Sequence, residues 1–567
     1  MTTGALRLRG AGGRGRSGLV TGPLLAVLAL IFFPLVATAQ QETPKAQAAP
    51  TAQLHRSGAS DPDALLTRAE RSGADEITPP DEISAFFRAL AATAPEAVRI
   101  REIGRSREGR PLELVVMARP GIAEPWEAHA SGKPIFFIGA QVHGNEPAGG
   151  EGLMRFAREV AVGEMSHLLD DIIFILVPVI SPDGSAAAPW GTRENRAGYN
   201  LNRDYSRLSN PESSAVVEEV LNPWRPHVMV DLHELTGPRV YDFYALHPSN
   251  LNVDPTLRAL AAGPASQAIQ DALEGAGFTY FPYHIQPSDP TRVAEEGIVA
   301  GGYGVRILRN YGGARGAVSI LFESRREVDP RIDLDSRARQ QQFGLEGMAS
   351  WVAAEAEEIL TAVDGARLRF MELGSRWDVA DSVVVTAEFV SSGLVDYRMP
   401  EFRPRADGTG VEPTGQILDL QIPFADSAVA TLARVRPVGY LIEPHRGDLA
   451  HELRRHGIQV ERIHAPLQVE VEHFRVQSVE YAEGAAEGYV ERRVGTTLEV
   501  GVAELPLGGY LVRSGQPLAP LIFALLEPED MDSFASVGAF SAEKRVGGIL
   551  PVHRLRSLPE GVVPELP

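Results

Sequence analysis

Two histidines and two glutamates in this 567-residue chain stand at the ends of apolar runs, and together they could carry out metal-dependent hydrolysis. His143 and Glu146 form an H-x-x-E pair after the run PIFFIGAQ. His233 follows HVMVDL, and Glu323 closes AVSILF. Zinc takes neutral imidazole and carboxylate well, and three protein ligands leave its fourth position open for chemistry. His143, Glu146 and His233 are therefore the expected ligands of one Zn²⁺ per chain, which leaves Glu323 over as a base. A spacing of three at a strand end or in a first helical turn aims His143 and Glu146 at one point, and Gly144 between them allows a tight turn.

These residues need a scaffold that delivers them to one place. The three runs, with a fourth, IIFILVPVI, that stops at Ser181-Pro182-Asp183-Gly184, read as buried strands of an α/β sheet separated by helical crossovers. In such sheets ligands bind outside the carboxyl ends of the strands. Asp81 is expected to cap a helix whose apolar face is Ile83, Phe86, Phe87, Leu90 and Ala91, and a strand pair brackets the turn from Gly104 to Arg110. Strands and helices alternate to about residue 364, ending in a long helix over Gln340 to Ala362. From 365 to 567 the texture is β-rich (VVVTAEF, GYLIEP, QVEVEHFRV, TTLEVGV, GYLVRSG) with one helix over Asp448 to His456. His451, His456, His464 and His473 lack ligand spacing there and read as surface histidines.

Composition bounds the rest. With 44% hydrophobic and 23% charged residues the chain is globular, and its length asks for more than one core. Residues 1–39 carry Arg7, Arg9, Arg14 and Arg16, an apolar stretch from Leu24 to Val36 and Ala37-Thr38-Ala39, the pattern of a cleaved signal for export. Residues 40–74, rich in Ala, Gln, Pro and Ser, read as a disordered linker, with structure beginning near Pro79. Cleavage leaves 50 basic and 74 acidic residues, a formal charge of −24. Such a surface repels nucleic acid, and no later stretch could insert in a membrane. The absence of cysteine excludes disulfides, thiol nucleophiles and thiolate metal sites, so any metal must sit on His and carboxylate.

From Ile77 to Arg325 the chain resembles the zinc carboxypeptidases of the carboxypeptidase A type. The motifs IGRSREGRPLELV, HGNEP, SPDG, TRENRAGYNLNRDY, DLH and the strand ending in Glu323 follow one another in that family's order. The resemblance implies a three-layer α/β/α mixed-sheet catalytic domain over 75–364, with 365–567 as a β-rich accessory domain like regions appended to secreted bacterial members. It implies His143, Glu146 and His233 as zinc ligands, Arg193 polarising the scissile carbonyl, and Glu323 as general base. Asn202 with Arg203 then grips the terminal carboxylate of a peptide substrate, and a mobile tyrosine covers it. Tyr311 is the candidate for that role, ahead of Tyr303, in the glycine-rich stretch GGYGVRILRNYGG, which is expected to be a flexible flap.

In one respect the sequence departs from the family. Asn200 stands where an Asp usually supports a zinc histidine; its amide oxygen can still accept from the imidazole, without the charge that raises ligand basicity. Two other readings remain compatible with HGNE and a later His. One is a deacylase of the succinylglutamate desuccinylase or aspartoacylase type, and the other a silent peptide-binding member. The NLNRDY element and the length of the block favour the peptidase.

Overall fold

Ten strands precede residue 326: β1 (Val98–Arg105), β2 (Pro111–Met117), β3 (Ile135–Ala140), β4 (Ile173–Val177), β5 (Val228–Leu235), β6 (Phe243–Leu246), β7 (Tyr280–Pro282), β8 (His284–Ile285), β9 (Ile298–Ala300) and β10 (Val318–Arg325). The computed structural model describes residues 65–559 except 408, 487 and 541–544. The expected signal and residues 40–64 of the expected linker lie outside the described residues. Order begins before Pro79, however: a helix over Arg68–Ser72 is closed by a capping box between Thr67 and Glu70, and Glu70 is paired with Arg158.

The main sheet has the order β1-β2-β4-β3-β5-β10-β6-β7, and the four apolar runs of the sequence are its central, mutually parallel strands β4, β3, β5 and β10. Their residues are buried on both faces, as continuous apolar runs require. One face, bearing Phe136, Ile138, Val230, Ile320 and Phe322, packs on helices Pro80–Thr93, Pro147–Val162, Ser266–Gly275 and Leu334–Ala354. The opposite face, with Phe137, Ile175 and Met229, packs on Tyr205, Trp224 and Tyr311 and on the C-terminal helix Ala519–Leu526. The result is the three-layer mixed-sheet arrangement expected.

Past residue 380 the chain is β-rich, again as expected: β11 (Ser382–Val390), β12 (Gly393–Pro404), β13 (Val411–Ala425), β14 (Ser427–Val435), β15 (Gly439–Ile442), β16 (Glu461–Arg462), β17 (Leu467–Ala486), β18 (Tyr489–Leu505), β19 (Tyr510–Arg513) and β20 (Ile549–Leu555). One sheet joins both halves of the chain, since β13 pairs in parallel with β9 in the order β12-β13-β9-β8.

Several expectations are corrected. The helix expected over Gln340–Ala362 is two, Leu334–Ala354 and Ala356–Leu373, broken at Glu355. Asp81 lies in the first turn of its helix and Pro79 is the cap residue. The glycine-rich stretch is not a flap, because Leu308–Ala314 is a buried helix. Its Asn310 amide donates to the carbonyls of Gly302 and Gly304. Gly312 and Gly313 admit Met229, Ser319, Pro248 and Val253 where a Cβ would collide, so these glycines serve close packing. His456 is fully buried rather than on the surface.

Candidate metal centre and active site

Strand alternation explains which side chains meet. Residues two apart on a strand share a face. β5 and β10 pair with Glu323 opposite His233 and Leu321 opposite Asp231, while β6 sets Tyr244 opposite Glu323 and Leu246 opposite Leu321. Asp231, His233, Leu321, Glu323, Tyr244 and Leu246 therefore occupy one face at the carboxyl end of the central strands. The turn after β3 supplies the remainder. Glu146 ends that turn as the cap residue of helix Pro147–Val162, whose Pro147 needs no N–H partner.

Gly144 is required there by contact, since a Cβ would overlap the backbone of Gly184 and Ser185. This places the SPDG motif directly under the metal-binding turn. Its Asp183 is buried and accepts from the Ser106 hydroxyl at 2.6 Å, the Glu108 amide at 2.9 Å and the Arg110 guanidinium at 2.7 Å. Two motifs far apart in sequence, GRSREGR and SPDG, are thus a single contact that braces the turn. On the other side Glu234 accepts from the Ala148 amide at 2.8 Å and pairs with buried Arg337. Gln341 donates to the His233 carbonyl at 2.9 Å.

His143, Glu146 and His233 are all buried, and one donor atom from each lies within 4.8 Å of the others. Nδ1 of His143 is 2.9 Å from Glu146 Oε1, Nδ1 of His233 is 2.9 Å from Glu146 Oε2, and the two Nδ1 atoms are 3.1 Å apart. Each outer nitrogen has an oxygen within hydrogen-bond distance. Nε2 of His143 is 3.0 Å from Asn200 Oδ1, and Nε2 of His233 is 2.9 Å from Asp231 Oδ2 and 2.8 Å from the Asn202 amide nitrogen. With a proton on each outer nitrogen, the tautomer a metal selects, both inner nitrogens would turn lone pairs toward the same point as the carboxylate, the donor set of a cation. Tetrahedral zinc bound at its usual lengths needs donors about 3.4 Å apart, and these are close to that. The residues fit the metal.

The electrostatics of the group follow from burial and its partners. Burial lowers the pKa of His143, against the pull of Glu146. For His233 burial works in the same direction but is outweighed by the Asp231 and Glu146 carboxylates, which hold it up at about 10. Glu146, although burial raises it, is kept well below the carboxylate range by the two imidazoles. Burial pushes Glu323 up to about 8; His233 opposes this and Glu146 adds to it. One oxygen of Glu323, Oε2, is buried without a hydrogen-bond partner.

The other expected residues divide. Arg193 is half-exposed beside the ligands, its Nη1 3.0 Å from Glu146 Oε1 and 3.1 Å from His143 Nδ1. Asn202 is buried and engaged: its amide donates to Asp231 at 3.3 Å and its oxygen accepts from the Leu308 N–H at 2.9 Å. Arg203 is partly exposed and donates to the Asn202 carbonyl at 2.7 Å. Tyr311 is not brought to the site. It is 1% exposed, packs on Tyr205 with ring centroids 5.7 Å apart, and its hydroxyl is 2.8 Å from His456 Nδ1. A tyrosine locked in the core cannot swing over a substrate. Tyr303 lies against Phe389, at 6.4 Å between rings.

Two nearby residues escaped sequence reasoning. Asp231 could have been found, because D-x-H on a strand puts both side chains on one face. Tyr283 could not. It opens the segment YHIQP beyond the short strand β7, which reads as an ordinary loop, yet its phenol pKa is raised by burial and by the charge of Glu323, with Arg309 and Arg203 opposing.

A family model described as zinc carboxypeptidase matches residues 83–248, which include His143, Glu146, Arg193, Asn202, Arg203 and His233 and stop short of Glu323. Carboxypeptidase 2 of Trichophyton tonsurans is 27% identical over 509 residues, covering 86% of this chain and 89% of its own, so the likeness runs well past residue 364. Carboxypeptidase E of Caenorhabditis elegans is 35% identical over 131 residues, 20% of this chain and 27% of its own. The structure of carboxypeptidase A from Helicoverpa armigera overlaps 52% of this chain and 77% of its own at 20% identity, with a TM-score of 0.40, too distant a likeness to build on. The converging donors lie inside the segment that matches the zinc carboxypeptidase model, the relatives it resembles are carboxypeptidases, and the protein is a zinc-dependent metallocarboxypeptidase.

Proposed function

We propose that His143, Glu146 and His233 hold the zinc, one ion per chain, and that Glu323 is the general base for hydrolysis of the last peptide bond of a substrate with a free carboxyl terminus. The observation that carries this reading is the register of β10 on β5. It sets Glu323 directly beside a histidine ligand, buried, with one oxygen unpartnered and its pKa pushed up to about 8. When bound, zinc supplies Lewis acidity that makes water a nucleophile at neutral pH.

The chain's own residues do the rest. Glu323 takes a proton from the attacking water and returns it to the leaving amine. A divalent charge close by would favour the ionised carboxylate, the form a base needs. Arg193, half-exposed at the edge of the ligand group, stabilises negative charge developing on the carbonyl oxygen. Arg203 offers a planar fork to the substrate's α-carboxylate, and Asn202, tied to Asp231 and Leu308, fixes the loop from which that fork projects.

Residues 1–39 direct export by this reading, and the protein works outside the cytoplasm. Residues 75–364 carry the catalytic residues, and 365–567 form a β-rich accessory region packed against them. Mass spectrometry of a peptide incubated with the enzyme tests the activity class. A ladder of single-residue losses from the carboxyl end, abolished by amidation of that end, is expected. Internal cleavage, or release of acyl groups alone, would contradict the proposal.

A further inference from the structure

Arg309 is a buried cation that the reading above does not use. Its side chain is 2% exposed, yet among the described residues no carboxylate is paired with it. One nitrogen, Nη2, donates to the carbonyls of Gly301 and Gly302 at 2.7 and 2.6 Å, and Nε is buried without a partner. A buried charge with so little compensation is costly, and proteins normally pair it. Burial and the like charge of Arg203 pull its pKa down to about 10, against Tyr283 and the carboxylates of Asp231 and Glu323.

Its position connects it to the substrate end of the site. Arg309 is the second residue of helix Leu308–Ala314, and the Leu308 amide is held by Asn202, the neighbour of Arg203. Gly301 separates Arg309 from Tyr283: a Cβ there would come within 2.8 Å of the Tyr283 ring, 3.1 Å of Arg309 Nη2 and 3.3 Å of Leu246. Leu246 shares a strand face with Tyr244, the partner of Glu323. Arg309, Tyr283, Gly301 and Leu246 therefore form one wall next to the base and to Arg203.

We propose that Arg309, with Tyr283, reads the side chain of the substrate's terminal residue and selects an acidic one, glutamate or aspartate. This rests on the carboxypeptidase reading of the site. With the α-carboxylate on Arg203, the side-chain carboxylate supplies the anion that Arg309 lacks, accepting from its free N–H groups and from the Tyr283 hydroxyl. A neutral isostere leaves the guanidinium unpaired, and a basic side chain adds a second like charge.

The test is kcat/KM of the zinc-loaded enzyme on peptides that differ only in the last residue, Glu, Gln, Leu or Lys. Glu should exceed Gln by roughly 10- to 100-fold, the worth of a charge-assisted hydrogen bond. Arg309→Met should remove that ratio while retaining cleavage of the Leu peptide, and Arg309→Lys should keep part of it. Inhibition of the wild type by free L-glutamate, compared with L-glutamine, reads the same contact without a variant, and glutamate should inhibit more strongly. Equal use of Glu and Gln, or preference for Leu or Lys, overturns the assignment and leaves the carboxypeptidase intact. Failure to trim any free carboxyl terminus overturns both.

Discussion

Asp231 Oδ2 lies 2.9 Å from His233 Nε2, two residues further along the same strand. The acid that the resemblance expects behind one of the proposed zinc histidines is missing at Asn200, whose amide oxygen is 3.0 Å from His143 Nε2, but a carboxylate stands behind the other histidine instead. If His233 holds zinc as proposed, that carboxylate raises the basicity of its ligand. Asp231→Asn should weaken zinc binding by roughly 10- to 100-fold, whereas Asn200→Asp should strengthen it. Competition with a chelator of known affinity measures both; unchanged affinity in Asp231→Asn would remove this carboxylate from the account.

Buried neutral histidines tie stability to pH. His227 accepts the Ile135 N–H at 2.9 Å, and burial brings its pKa down to about 3. His284 and His456 are likewise brought to about 3, by burial and neighbouring arginines. For such groups the unfolded chain binds more protons than the folded one. Their contribution is therefore fully present above about pH 6.5 and is lost as pH falls toward 3. His227→Asn, whose amide oxygen can still accept from Ile135, should make the decline of unfolding free energy below pH 6 shallower by about 1.4 kcal/mol per unit. Urea titrations across pH 5–8 measure the slope, and identical slopes in the two proteins would contradict the assignment.

The grouping of His143, Glu146 and His233 was legible because their types are scarce and each follows an apolar run that reads as a buried strand. The contacts behind them were less so. Alternation would have given Asp231 once the strand was placed, but the bracing of the turn by Asp183 joins segments about 75 residues apart, and spacing says nothing of that. Tyr311 misled because glycine-rich sequence suggests a flap. Here the glycines exist so that a helix can press against Met229 and Pro248. The C-terminal region read correctly as β-rich, while the burial of His456 on Tyr311 depends on a contact across 145 residues.

That contact is one of several that make the C-terminal region part of the catalytic fold. Asp532 accepts the Arg306 amide at 3.0 Å, Arg207 stacks on Tyr489 at 4.1 Å, and β13 pairs with β9. Residues 65–364 expressed alone would expose the apolar face that Ala519–Leu526 covers. The fragment should show no cooperative thermal transition and no activity. A cooperatively unfolding, active fragment would mean that the region is dispensable.

The central claim is that Glu323 moves protons while His143, Glu146 and His233 hold the metal. Glu323→Gln conserves shape and removes only the ability to take a proton. Zinc content and kcat measured on the same preparation separate the two roles. The account predicts about one zinc per chain, as in the wild type, with kcat reduced by roughly 10²- to 10⁴-fold. A variant that loses its zinc, or that keeps its zinc and most of its turnover, would contradict it.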